Sequence, residues 1–192
     1  MVRTRLAIKE WAGVINALGQ GDQIILIRKY SPEAKQFLLY PTYSYYNTDR
    51  GTPERFEAKF QSKFLTLARE SALSELENPG IVNLRYVFEV DKVINIPQDT
   101  QISRLVPFMI WSAEHVATYA EKAYNGLNVW IGRAKRLPVP VLAARQTSGG
   151  SITTYKHFED IDIGDALSVL SESDYEKKRK ELMTALGEKS RV

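Results

Sequence analysis

Apolar positions along this chain recur with two periods. Leu6, Ala7, Trp11, Val14 and Leu18 follow one another at mostly helical spacing, which predicts a helix over residues 5–18 stopped by Gly19 and Gly21. QIILIRK (residues 23–29) and QFLLYPTY (residues 36–43) are short apolar runs with polar ends, the mark of buried strands. Together they predict a central strand pair, with Pro41 at a strand edge or end because it has no N–H to give to a ladder. Thr52, Pro53 and Glu54 read as the start of a helix running to about Glu77, with Phe56, Phe60, Phe64 and Leu67 as its stripe and Asn78–Pro79–Gly80 as its stop.

Residues 81–96 then alternate with period two, as a half-buried strand does, with a bend near Asp91–Lys92. A helical turn over residues 100–106 precedes Pro107, and Ser112 caps a helix over 113–124 closed by Asn125–Gly126. Residues 127–137 form a third long strand that Pro138 and Pro140 should break. Residues 141–145 and 151–155 suit a hairpin across a glycine-rich turn, and two helices follow, over 164–170 and, capped at Ser173, over 174–186. This order is no regular alternation of strand and helix. It predicts an α+β fold with a mixed, mostly antiparallel sheet or small open barrel, packed helices and a helical C-terminus. The expected division is a single α+β domain over residues 1–158 and a C-terminal helical extension over 159–192, packed on it or projecting from it.

Composition narrows the chemistry. The chain of 192 residues has no cysteine, which excludes disulfides, thiolate metal sites and a cysteine nucleophile and suits a reducing, cytoplasmic setting or a hot one. No run approaches the roughly 20 apolar residues of a membrane helix, and the basic N-terminus lacks the apolar core of a signal peptide, so no membrane partner is expected. The formal charge of +3 is unevenly placed. Residues 177–192 carry six basic and two acidic side chains, and the remainder is neutral, with 20 against 21. That cluster reads as a solvated helix face or as a phosphate-binding tail.

No glycine-rich phosphate loop, dinucleotide fingerprint or nucleophile elbow occurs, and no cofactor is evident. His115 and His157 stand apart, so no metal site is expected from them. Glu89–Val90–Asp91–Lys92 only loosely offers the acids and lysine of a magnesium-dependent nuclease. The better signals are polar and aromatic groups where apolar strands end. Arg28 and Lys29 close the first run, Thr42 and Tyr43 the second, and Arg133 and Arg136 lie on the late strand near Trp130. Basic residues mixed with aromatic ones suit stacked bases and held phosphates; they also suit a solvated sheet face.

Several of these residues stand in a familiar order. Glu10–Trp11, Gly21 and Gln23 before an apolar run, Arg28–Lys29, Pro41–Thr42–Tyr43, then LVPFMIW (residues 105–111) and RLPVP (136–140) resemble the domain of unknown function 1802 family, over about residues 6–145. This chain departs from the family pattern by Tyr30 after Arg-Lys, where glycines are usual. It also has Ser44, Tyr45, Tyr46 and Met109 where the pattern has histidines, so any chemistry of those histidines is lost or done otherwise here. Some relatives carry a restriction-endonuclease-like domain, so the resemblance implies a link to restriction–modification or DNA defence.

Three functions follow as expectations. The first is a nucleic-acid-associated binding module, with DNA or RNA as partner, in which Arg28, Lys29, Thr42, Arg133 and Arg136 make polar contacts and Trp11, Tyr43 or Trp111 stack. The second is a metal-dependent nuclease or hydrolase using Glu10, Glu89 and Asp91. The third is a structural or assembly protein whose C-terminal helix, with Leu182 and Leu186 on one face, packs against a partner or, as a homo-oligomer, against a second copy.

Overall fold

A computed structural model of the chain describes residues 3–4, 6–42, 56–57, 59–60, 79–97, 102–145, 152–154 and 161–187. In chain order its strands are β1 (Arg3–Thr4), β2 (Leu6–Trp11), β3 (Ile25–Arg28), β4 (Gln36–Thr42), β5 (Ile81–Ile96), β6 (Leu127–Ala144), β7 (Ile152–Thr154), β8 (Ile161–Asp162) and β9 (Leu167–Ser168). The α-helices among these residues are α1 (Ala12–Gly19), α2 (Ala113–Ala120) and α3 (Glu172–Ala185), with a 3₁₀ helix over Ile102–Phe108. The fold is α+β, and its mixed sheet does not close. No helix among the described residues is long and apolar enough to cross a membrane.

The expected first helix is half strand. Leu6–Trp11 pairs parallel with β4 and antiparallel with β7, and the helix begins only at Ala12. Ala7 and Ile8 are both fully buried, in different core clusters on the two sides of the sheet. A strand buried on both sides shows no polar alternation, so its apolar residues were free to match helical spacing by chance. Gly21 turns the chain after α1 at φ +75°, and the chain enters β3 at Ile25.

QIILIRK and QFLLYPTY do not form the expected pair. The sheet order is β3-β6-β5-β4-β2-β7, so two strands stand between them. β3 pairs antiparallel with β6, and β4 pairs antiparallel with β5. Both runs are almost wholly buried, and a buried apolar strand can take neighbours on either side, so its sequence carries no register.

β5 and β6 form the long antiparallel ladder at the centre, and two irregularities shape it. Val90 lies opposite Gly132 and Lys92 opposite Ile131, so Asp91 is the extra residue of a bulge, where the bend was expected. A Cβ on Gly132 would sit 2.2 Å from the Glu89 carbonyl oxygen and 2.7 Å from the Phe88 ring. The second irregularity overturns the expected break at Pro138. Leu84 lies opposite Val141 and Tyr86 opposite Arg136, leaving residues 137–140 opposite Arg85 alone. Pro138 and Pro140 stand in this outward loop of the strand, where no ladder partner is asked of them, so β6 runs on to Ala144. The slip also shifts which side β5 buries: Leu84 and Val87 both enter the smaller core, Phe88 the larger.

The expected hairpin of residues 141–145 with 151–155 is replaced by two other pairings. Residues 141–144 continue against β5, and β7 lies on β2. Residues 164–170 are not helical; β9 pairs with β6 there, Ser168 opposite Lys135 and Leu167 opposite Arg136, because β6 still had an open edge to satisfy. Ser112 caps α2 as expected, accepting the His115 N–H at 3.2 Å, but the helix ends at Ala120 rather than near Tyr124. α3 starts two residues early, capped by Ser171, whose hydroxyl accepts the Asp174 N–H at 3.1 Å. Its Tyr175, Leu182 and Met183 enter the larger core and Leu186 packs against it, so this apolar face is turned to the chain's own body. Of the helix expected over 53–77, only Phe56, Glu57, Lys59 and Phe60 are described; the rest lies outside the described residues.

Gly132→Ala drives its methyl into backbone and ring at the bulge. It should cost about 1–3 kcal/mol, the range for overpacking a closed site, read as a lower urea midpoint at unchanged slope. Gly80→Ala, where a Cβ would meet nothing within 4 Å, is the control.

Candidate functional site

The parallel pairing of β2 with β4 sets Glu10 opposite Pro41 and Trp11 opposite Thr42. Thr42 Oγ1 donates to the Glu10 carbonyl at 3.0 Å, which ties these two strand ends together. Arg28, the last residue of β3, reaches the same point: its Nη1 lies 2.7 Å from Glu10 Oε2, with 9% and 6% of the two side chains exposed. Glu10 Oε1 accepts the Trp11 N–H at 2.7 Å, and Arg28 Nη1 also donates to the Ile27 carbonyl at 3.1 Å. Burial by itself pulls the Arg28 guanidinium down, but the Glu10 carboxylate against it, together with Tyr30 and Tyr119, outweighs that, and the net displacement is upward.

An aromatic group adjoins this pair. Trp11 meets Trp111 edge-on at 4.2 Å, and Trp111 stacks on Phe56 at 5.0 Å. His115 lies 4.6 Å from Trp111 and 5.6 Å from Trp11. His115 and Tyr119 are four residues apart on α2 and share a face. Lys29 Nζ sits 4.3 Å over the Tyr119 ring, so this one face of α2 spans from the tryptophans to the end of β3. Burial raises the Tyr119 hydroxyl, although Arg28 pulls it the other way. Gln23 holds the frame: its Nε2 donates to the Ile25 carbonyl at 2.6 Å, and its Oε1 accepts the Ile110 N–H at 2.9 Å. That bond fixes the residue before Trp111.

The structure therefore brings Trp11, Arg28, Lys29, Thr42 and Trp111 to one corner. Tyr43 lies outside the described residues. Arg133 and Arg136 do not join them. Arg28 pairs with Asn128 on β6, and Arg133 stands five residues further along, about 16 Å at strand rise. There Arg133 grips Glu172 with two bonds, at 2.6 and 2.8 Å, and lies 3.7 Å over the Tyr175 ring. It anchors the start of α3. Arg136 rests against Tyr86, 3.4 Å from its hydroxyl. Sequence reasoning passed over Tyr30, Phe56, Tyr119 and the place of His115; the shared helical face of His115 and Tyr119 was the signal available for the last two.

The three acids of the hydrolase reading stand in three separate ion pairs. Glu10 holds Arg28, Glu89 holds Lys135 and accepts from Gln36 at 3.1 Å, and Asp91 holds Arg179 at 2.8 Å and accepts from the Tyr175 hydroxyl at 3.2 Å. Among the described residues no three His, Asp or Glu side chains gather as a metal would need. Lys135, bonded to the Glu89 carboxylate, holds it below its ordinary value of 4.5.

The sequence profile of the family described as Domain of unknown function (DUF1802) matches residues 7–181, and the chain belongs to that family. No curated protein matches the chain. Among solved structures, it aligns with the crystal structure of a mutant ASCH protein from Zymomonas mobilis at 11% identity and a TM-score of 0.45, over 93% of this chain and 98% of that one.

Removing one partner of the buried pair strands the other. Glu10→Ala should lose about 3–5 kcal/mol, and Glu10→Leu with Arg28→Met should recover most of it, both read by urea denaturation. The lowered Glu89 carboxylate contributes stability above pH 4.5 that disappears as pH falls through its depressed value. Glu89→Gln should therefore flatten the acid limb of a stability–pH curve and lower the plateau above it.

Proposed function

We propose that this chain is a nucleic-acid-associated binding module and that its ligand meets the corner formed by the ends of β2, β3 and β4 and the His115–Tyr119 face of α2. The observation that carries this reading is the joining of a buried, fixed guanidinium, Arg28, to an aromatic group in which Trp111 and Phe56 are buried and Trp11, His115 and Tyr119 are half-buried, with Lys29 beside it. Trp11, His115 and Tyr119 keep part of their surface open to solvent. Aromatic faces of this kind stack bases for about 1–3 kcal/mol each, whatever the base. Of the segments that carry the family resemblance, Glu10–Trp11, Gln23, Arg28–Lys29, Thr42 and Trp111 contribute to the corner, whereas RLPVP begins at Arg136, which rests against Tyr86. The link to DNA defence that the resemblance implies puts DNA beside RNA among the ligands to test.

This reading is preferred over the other two on particular contacts. A metal-dependent hydrolase built on Glu10, Glu89 and Asp91 would have to break three ion pairs to free its ligands. An assembly role through α3 would use a face already packed on the larger core.

The neutral body of the chain sets the expected salt dependence. With Lys29 as the cation at the rim, single strands should bind with a shallow slope, about −0.7 in log affinity against log salt for each phosphate contact. Lys29→Ala should remove about one such contact, and Trp11→Phe should weaken binding without changing the slope. Fluorescence anisotropy with single- and double-stranded DNA and RNA reads both. No binding by any of the four at roughly 50 mM salt, where phosphate contacts are strong, would overturn the reading.

A further inference from the structure

Two donors at this corner have no hydrogen-bond partner among the described residues: Arg28 Nε and the Tyr30 hydroxyl, both shielded from solvent. The other nitrogens of Arg28 are engaged, Nη1 with Glu10 and the Ile27 carbonyl, Nη2 with the Lys9 carbonyl at 3.5 Å. The two donors share a floor, Trp130. Its ring lies 5.9 Å from the Arg28 guanidinium and meets the Tyr30 ring edge-on at 5.6 Å, and its Nε1 donates to the Tyr30 carbonyl at 3.0 Å. Tyr30 is thus anchored by its backbone, and its hydroxyl contributes nothing to holding it there. Buried donors left unpaired are costly and rare, so two on one floor call for an acceptor.

We infer that Arg28 Nε and the Tyr30 hydroxyl read a keto oxygen on a nucleobase, an inference that rests on the binding function proposed above. Arg28 Nε can only donate, and the Tyr30 hydroxyl, which donates as well as accepts, can donate beside it, so one acceptor oxygen would satisfy both. The charge of Arg28 is already answered by Glu10 at 2.7 Å. A phosphate brought to Nε would meet that carboxylate as a like charge, whereas a neutral carbonyl oxygen meets no such repulsion. Lys29 and Tyr119, half-buried and in cation–π contact, lie alongside and are the side chains an entering ring displaces.

The test uses two matched pairs of short single strands, each with one base flanked by abasic positions: hypoxanthine against adenine, and uracil against cytosine. Within each pair a keto group is exchanged for an amino group at the same place. The wild-type chain should prefer the keto base about ten-fold in at least one pair, the size of one good base contact. Tyr30→Phe should melt at or above the wild-type temperature, keep its affinity for the amino base and lose the preference. Equal affinity within both pairs, or a preference that survives Tyr30→Phe, would remove the inference while leaving the binding function standing. Marked destabilisation by Tyr30→Phe would do the same, by showing that the hydroxyl has a structural partner. Competition by inorganic phosphate as effective as that by uridine would put a phosphate oxygen there and overturn the keto assignment. Failure of all four strands to bind would overturn the binding function and this inference together.

Discussion

The ladder between β5 and β6 is the constraint from which the rest of the molecule follows. Strands of 16 and 18 residues are far longer than most, and β6 carries two partners in tandem along its outer edge. β3 and β9 lie one after the other along the outer edge of β6, while β4 takes the edge of β5. Burial of this much backbone is tolerated where ladder donors and acceptors find neighbours, as they do between β5 and β6 outside the two irregularities. The ladder also separates two cores, and its bulges decide which residues enter which. Its length sets the distance between the Arg28 corner and the Arg133 contact, so two groups of basic residues that look alike in sequence do different work.

What the sequence made legible was local. The alternation of residues 81–96 placed β5 to the residue, although its irregularities turn Leu84 and Val87 to one core and Phe88 to the other. Ser112 announced α2 because a hydroxyl at that position satisfies an N–H that would otherwise go unpaired. Strand pairing was not legible. β3 and β4 are buried on both sides, and nothing in ILIR or QFLLYPT prefers one neighbour over another. β9 was misread because its pairing covers two residues, too few to leave a period. The prolines of β6 misled for a different reason: their meaning depends on a bulge that only the partner strand defines.

The site was legible in the same uneven way. Arg28, Thr42, Trp11 and Trp111 could be picked out because polar or aromatic groups at the ends of apolar runs are conspicuous. Their convergence could not, since it requires the parallel β2–β4 register and the reach of β3 across it. Arg133 and Arg136 were conspicuous for the same reason as Arg28, but their partners, Glu172 and Tyr86, lie on segments whose proximity depends on the tertiary fold. Glu10, an acid that by type suits a metal, neutralises a buried cation in the folded chain.

The outward loop at Pro138–Val139–Pro140 has a consequence beyond the geometry of the ladder. Past Arg136, no strand among the described residues lies on the outer side of β6, and Val139 and Leu142 are exposed there. An open, apolar strand edge is the usual template on which a second chain adds itself and aggregation begins. Two prolines spaced by one residue withhold two N–H groups from such an incoming strand, and the loop bends the backbone out of the line it would need. The same residues that interrupt the inner pairing of β6 thus make its outer edge a poor template for another strand.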